Sequence, residues 1–349
     1  MNTVFEDLGL SLPIVQAPMA GVQGGALAAA VSGVGGLGSV PCAMLDHEGV
    51  RNEVAAIREH TSNPFNLNFF CHANPAGYAH KEQAWRTTLE PYYREFNIDA
   101  NVSEPAAMRS PFTLSSAELV EELRPAVVSF HFGLPTADLL ERVKRIGARI
   151  FASATTVDEA KWLQEHGADA VVAQGSEAGG HRGMFLSTDL TTQLGTFALL
   201  PQIVRSVSVP VIAAGGIADS KGVRAAIELG ASAVQLGTVF LLCEEAKTSE
   251  LHRAALKSSA SGHTAITNVF SGRPARSIVN RVVRELGPIS ANTPPFPLAG
   301  AGLAPLRVFA EARGRHDFTS LWCGQNATGC KEISAADLTR ELAQGLSLA

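Results

Sequence analysis

Charge is scarce in this chain. Charged residues fill 17% of its 349 positions against 46% for hydrophobic ones, and none occurs between Leu8 and Leu45. The 28 Lys and Arg are outnumbered by 33 Asp and Glu, giving a net charge of −5. With no basic run, the chain lacks the electrostatic footprint that nucleic-acid binding requires. The uncharged stretch is not read as a membrane helix, because Pro13, Pro18, Pro41 and many glycines interrupt it. It also lacks the basic n-region of a signal peptide, so no membrane segment is expected and the protein is placed in the cytoplasm. Cysteines are few: Cys42, Cys71, Cys243, Cys323 and Cys330 are odd in number, widely spaced and form no CxxC pair. That argues against a disulfide framework or zinc knuckle and for reduced, mostly buried thiols. A metal cluster, a GxSxG elbow and a Cys–His arrangement are also missing, which speaks against metal-assisted hydrolysis and acyl transfer.

What is present centres on Ala170 to Gly183, AVVAQGSEAGGHRG. A short apolar run with β-branched valines and a glycine-rich exit reads as a buried parallel strand. In parallel α/β folds the loops at the carboxyl ends of strands carry the chemistry. Gly179 and Gly180 let backbone approach a flat ligand, and His181 follows them. Standing alone, the segment would also fit a flexible loop with a surface histidine.

Eight strand-like segments can be counted: Pro13–Ala20, Leu37–Val40, Phe65–Phe70, Ala126–Phe132, Arg149–Thr155, Ala170–Gly175, Pro210–Gly216 and Ala233–Phe240. Helical patterns separate most of them. Thr156–Glu159 (TVDE) reads as a capping box and Gly167 as its helix stop, while Asp219 or Ser220 caps a helix that ends at Gly230. GADAVV from Gly167 and GASAVQ from Gly230 echo each other, as repeated βα units do. The count predicts an α/β fold of the (β/α)8 TIM-barrel type. Residues 1–243 and 316–349 are assigned to the barrel. Residues 244–315, inserted after strand eight, are assigned to a small, mainly helical substrate or cap domain. A second excursion, His72–Ser116, carries the aromatic and charged patch AWRTTLEPYYREF.

Strand ends then nominate the site. Pro18 and Met19 end strand one, Asn68 lies in strand three and His131 ends strand four. Gln174, Glu177, Gly179, Gly180 and His181 follow strand six. Gly215 and Gly216 follow strand seven, and Gln235, Leu236, Gly237 and Thr238 belong to strand eight. Paired glycines after strand seven with Gly-Thr after strand eight occupy the usual phosphate site of such barrels, where backbone amides bind an anion without Lys or Arg. The amides of Asn68, Gln174 and Gln235 suit the ring edge and ribityl chain of flavin mononucleotide. His131 in SFHFG fits a buried structural histidine as well as a site residue; a second histidine at the same mouth favours function. His47, His60, His72, His80, His166, His252, His263 and His316 are expected at the surface, and Trp322 in the core.

These residues resemble the nitronate monooxygenase family. The likeness rests on PIVQAPMAGV, GGLGS, NLNFF, VSFHFGLP, QGSEAGGHRG, IAAGGIADS, VQLGT and GRPARSIVNR, in order along nearly the whole chain. The resemblance implies FMN in a (β/α)8 barrel without a metal, held by Asn68, Gln174, Gly179, Gly216 and Gln235–Thr238. It implies His181 as the catalytic histidine and His131 as a second site histidine that helps hold the substrate. The implied reaction takes an alkyl nitronate, such as propionate 3-nitronate, through one-electron transfer to FMN and reaction with O2 to an aldehyde or ketone plus nitrite. The expected partners are therefore a small nitronate or nitroalkane and O2, with no nucleic acid or membrane, the protein being a monomer or homodimer. A protonated or donating histidine would stabilise an anionic nitronate, whereas a neutral one would take the α-proton of a nitroalkane. Flavin-dependent enoyl-acyl-carrier-protein reductases and NADH:quinone reductases share the scaffold, and a non-catalytic FMN- or phosphate-binding protein is the remaining reading.

Overall fold

The structure, a computed structural model, describes residues 4–76, 78–99, 109–344 and 346. Eight parallel strands make one sheet: β1 (Ile14–Gln16), β2 (Gly38–Pro41), β3 (Phe65–Phe70), β4 (Val127–His131), β5 (Arg149–Ala154), β6 (Ala170–Gln174), β8 (Val211–Ala214) and β9 (Ala233–Leu236). Three short strands, β7 (Gly180–His181), β10 (Thr264–Thr267) and β11 (Ala275–Ile278), form a second sheet. The order β1-β9-β8-β6-β5-β4-β3-β2 of the large sheet is closed by a parallel bridge from Val15 to Leu37. All eight of its strands lie within the segments counted from sequence, apart from a one-residue overrun of β2 to Pro41, and the fold is the expected TIM barrel.

Alternation along each strand sorts the side chains. On β6, Val171 and Ala173 face the helices, while Ala170 and Val172 join Phe151, Ile212 and Ala233 in the barrel interior. The N-terminal helix Val4–Asp7 seals the floor with Val4 and Phe5. Continued upward, the same alternation leaves polar residues at the mouth: Asn68, Ser129, His131, Ser153, Gln174 and Gln235 all face the space above that apolar floor. A polar group at an inward position is tolerated where the barrel opens and a ligand or partner satisfies it.

Helix boundaries follow local chemistry. Asp219, not Ser220, caps Ser220–Glu228 by accepting from the Gly222 amide. The capping box at Thr156 is only half formed. Thr156 accepts from the Glu159 amide, but the Glu159 carboxylate takes the amide and hydroxyl of Thr155 and the amides of Phe185 and Leu186 instead. The carboxylate thereby pins the loop beyond β6 rather than its own helix.

Above the mouth sits a second core. Trp85, Leu89, Tyr92 and Tyr93 of the helix Ala79–Glu95 pack against Val269, Phe270, Val282, Leu303 and Phe318. Trp85 Nε1 donates to the Ala299 carbonyl (3.0 Å) and Tyr93 to that of Gly302 (2.7 Å). The aromatic patch after β3 is thus one face of a helix, joined to the segment expected to form the cap. Within that segment, expected to be mainly helical, lies RSIVNRVVREL. The structure divides it between the strand β11 and a helix, Arg281–Leu286, capped by Asn280. β11 has partners on both edges, β10 and the two-residue β7, and strand pairing overrides the helical pattern. The helix Ala335–Leu342 returns to the main core through Ala335, Leu338 and Leu342.

Candidate active site

A cavity with an open mouth occupies the carboxyl end of the barrel. Apart from Glu177, the residues nominated from sequence border it: Pro18, Met19, Asn68, His131, Gln174, Gly179, Gly180, His181, Gly215, Gly216, Gln235, Leu236, Gly237 and Thr238. No Asp or Glu is among the described residues around it.

The loop after β6 is built from close approaches. A Cβ on Gly179 would lie 2.6 Å from the Gly324 amide nitrogen and 2.7 Å from the Cys323 carbonyl carbon, so this glycine is demanded by neighbouring backbone. Gly180 differs: its φ is +74°, and a Cβ would meet no protein atom within 4 Å. Pairing of Gly180 with Arg276 and of His181 with Ala275 ties the loop to β11. Arg182 is fully buried and donates to the carbonyls of Gly175 (2.6 Å) and Gln174 (2.7 Å) and to Gln193 Oε1 (2.9 Å). Glu177, a candidate site carboxylate, turns away to accept from the amide and hydroxyl of Thr196 at the start of the helix Thr196–Val204. Asp189 caps the short turn Leu190–Thr192 at the surface.

His181 presents its ring to the cavity, with Nε2 2.8 Å from Ser271 Oγ. Ser271 itself lies 3.3 Å from the Arg273 carbonyl oxygen. If its hydroxyl donates there, Nε2 of His181 carries the proton and Nδ1 is the base. If it donates to Nε2, Nδ1 carries the proton. Burial holds His181 well below the usual histidine range, and the guanidinium charges of Arg109 and Arg273 push the same way, as His131 and His72 would once protonated. His131 is held down to about 3 by burial first, with the His181 carbonyl opposing and Arg273 and Arg182 assisting. Both rings are neutral near pH 7.

Around His181 stands an aromatic wall: Phe296 and Trp322 each at 5.3 Å, Phe132 at 6.1 Å and Phe70 at 6.2 Å between ring centres. The Arg273 guanidinium stacks 3.9 Å above Phe132, and Arg109 borders the cavity beside Phe296. At the other end the turns after β8 and β9 meet the segment Trp322–Asn326. Gly324 donates to Thr238 Oγ1 (2.9 Å), and Asn326 Nδ2 donates to the Gly216 carbonyl (3.0 Å). Between the two ends, Ser129 Oγ accepts from Nδ2 of both Asn66 and Asn68 at 2.9 Å, which leaves its own proton to give. The Gln235 side-chain amide has no hydrogen-bond partner among the described residues.

Sequence reading did not single out Arg109, Ser129, Ser153, Ser271, Gly324 or Asn326 for the site, and it placed Trp322 in the core. Trp322 and Asn326 carried a usable signal, a tryptophan with a polar glycine turn in a segment bound to return to the barrel. Arg109 and Ser271 carried none. His72 and His252, expected at the surface, are 5% and 3% exposed. His72 follows β3 with its ring centre 4.8 Å from that of Phe296, and His252 lies in the helix Glu250–Lys257 and borders the cavity.

The sequence matches the family profile described as Nitronate monooxygenase over residues 2–345. A nitronate monooxygenase of Pseudomonas aeruginosa is 44% identical, the match covering 97% of each chain. Among solved structures, a nitroalkane oxidase from Streptomyces ansochromogenes superposes with a TM-score of 0.89 at 35% identity, covering 99% of this chain and 98% of that one. FabK from Thermotoga maritima superposes with a TM-score of 0.71 at 26% identity, covering 98% and 94%.

Proposed function

Because the chain belongs to the nitronate monooxygenase family, whose members oxidise nitronates, we propose that it converts alkyl nitronates with FMN and O2 to an aldehyde or ketone and nitrite. The observation that carries this reading is a neutral His181 on a cavity bordered by arginine and aromatic groups, with no carboxylate among the described residues around it. Such a site favours a delocalised anion over a neutral or cationic substrate.

The residues present fit FMN. The turn residues Gly216, Gly237 and Thr238 with Gly324 and Asn326 would receive its phosphate. The free proton of Ser129, the unpartnered amide of Gln235 and the second N–H of Gln174 would meet its polar edge. Pro18 and Met19 would wall one side, and the open face of Gly180 admits a flat ring. Bound there, FMN supplies the one-electron acceptor for the nitronate and the means of reducing O2.

The protein's own part is to bind and orient. The aromatic wall excludes water and covers the alkyl arm. Arg109 and Arg273 attract the anion, and in the tautomer where Ser271 donates to Nε2 the Nδ1 proton of His181 gives it a hydrogen bond. A neutral nitroalkane would need His181 to take its α-proton. The cations that stabilise the resulting anion also depress the basicity of His181, so a preformed nitronate is the better substrate.

The test starts from the absorbance spectrum of the purified protein. Anaerobic mixing with propionate 3-nitronate should bleach the flavin bands within the dead time of manual mixing, and NADH should act far more slowly. Rapid bleaching by NADH with no response to the nitronate would overturn the reading in favour of a reductase.

A further inference from the structure

His131 lies at the cavity, yet each polar atom of its ring is spent on protein. Its Nε2 lies 3.1 Å from the His181 carbonyl oxygen, which can only accept, so Nε2 carries the proton. Its Nδ1 is then the bare nitrogen and accepts from Ser153 Oγ at 3.0 Å. The same His181 oxygen takes a second hydrogen bond from Gln174 Nε2 at 3.0 Å, which fills both of its lone pairs. Gln174 Oε1 in turn accepts from the Gly183 amide at 2.8 Å. Gly183 closes the remaining edge of the ring, since a Cβ there would stand 2.9 Å from His131 Cε1. The ring therefore has a fixed tautomer, fixed partners and no polar atom left for substrate.

We propose that His131, oriented by Ser153, is a positioning residue that with Gln174 pins the His181 main chain, and is neither a proton carrier nor a substrate ligand. The proposal rests on nitronate oxidation at His181. The geometry gives the reason for a clamp. His181 stands in a two-residue strand at the edge of the cap sheet, and a shift of its carbonyl carries the ring away from substrate and flavin together. Misplacement by about 1 Å costs on the order of 10²-fold in rate. A histidine with Ser153 behind it presents the Nε2 proton in one orientation, whereas a flexible donor would share its time among rotamers.

The experiment compares variants of the flavin-loaded enzyme after the parent has been shown to react with propionate 3-nitronate, so that failure of the functional reading appears before failure of this one. Flavin content is read from absorbance, and kcat and KM are measured separately. His131→Phe is expected to lower kcat on the order of 10²-fold with KM within about twofold. His131→Gln, whose amide N–H reaches the place of Nε2, should recover all but about threefold, while His131→Asn, which reaches only the place of Nδ1, should not. Ser153→Ala should lower kcat by roughly 3–10-fold alone and add nothing in the His131→Gln background, where the Nδ1 it orients is gone. The His131→Gln and His131→Asn pair decides the matter even if the His131→Phe variant fails to fold. A rise in KM with kcat preserved would overturn the proposal, because His131 would then touch substrate. Equal loss in the His131→Gln and His131→Asn variants, or an undiminished Ser153→Ala effect in the His131→Gln background, would overturn it as well.

Discussion

Replacing Arg182 with methionine isolates how much the active-site loop depends on one buried cation. Its guanidinium makes three hydrogen bonds, two to main-chain carbonyls at the end of β6 and one to Gln193, and it is fully buried. Burial pulls it down to about 10, with Arg276 assisting and Glu177 and Glu159 opposing, so it keeps its charge at neutral pH. Methionine fills similar space but takes the guanidinium donor from the Gln174 carbonyl and from Gln193 Oε1, at about 1–3 kcal/mol each, while the Gly175 carbonyl keeps the Ala178 amide at 3.1 Å. Removing a costly buried charge returns part of that. The net loss should be about 3 kcal/mol, a large share of the roughly 5–15 kcal/mol that holds a domain folded. The melting temperature of the flavin-loaded protein, followed by circular dichroism, should drop by roughly 4 °C. Because His181 is the next residue, kcat with a nitronate should fall on the order of 10²-fold as well. Arg182→Lys should sit between the two, since an ammonium lacks the fork that spans both carbonyls. If Arg182→Met melts within about 1 °C of the parent and keeps its kcat, these bonds do not hold the loop and the reasoning fails.

Two further outcomes follow from the same geometry. Gly179→Ala places a methyl 2.6–2.7 Å from the backbone of Cys323 and Gly324, which cannot move without breaking the Gly324–Thr238 bond. FMN affinity, followed by the fluorescence of released flavin, should weaken by about tenfold or more, and an unchanged affinity would show the loop sliding freely. His72 and His252 are buried and held down to about 4, chiefly by burial, which places their folded values below the unfolded one. The unfolded chain therefore binds protons first, and stability is lost as pH falls below about 6.5 toward 4, by about 2 kcal/mol per histidine at pH 5. Urea midpoints at pH 7 and pH 5 measure this, and His72→Phe or His252→Phe should narrow the difference; no narrowing would count against buried, neutral rings.

Strand count, strand order along the chain and the polar mouth were legible because they rest on local pattern. Apolar runs that end in glycine, separated by capped helices, describe a βα repeat whatever surrounds them, and a period of two decides which residues of β3, β4, β6 and β9 look inward. That is why Asn68, His131, Gln174 and Gln235, named from strand positions alone, meet at one cavity. Where propensity competes with long-range pairing, the local reading failed. Ala275–Ile278 became a strand because β10 and Gly180–His181 flank it, and Glu159 left its capping box because loop amides beyond β6 offered better partners.

The sequence by itself determined that this chain is a (β/α)8 barrel with paired histidines and glycine turns at one end. Tertiary structure alone decided what each of those groups faces. Whether a histidine nitrogen meets a hydroxyl, a carbonyl or open space depends on residues 22 and 90 positions away: Ser153 for His131 and Ser271 for His181. A side chain's chemistry is carried in the sequence, but its proton, its charge and its freedom are set by neighbours that only folding brings within hydrogen-bond reach.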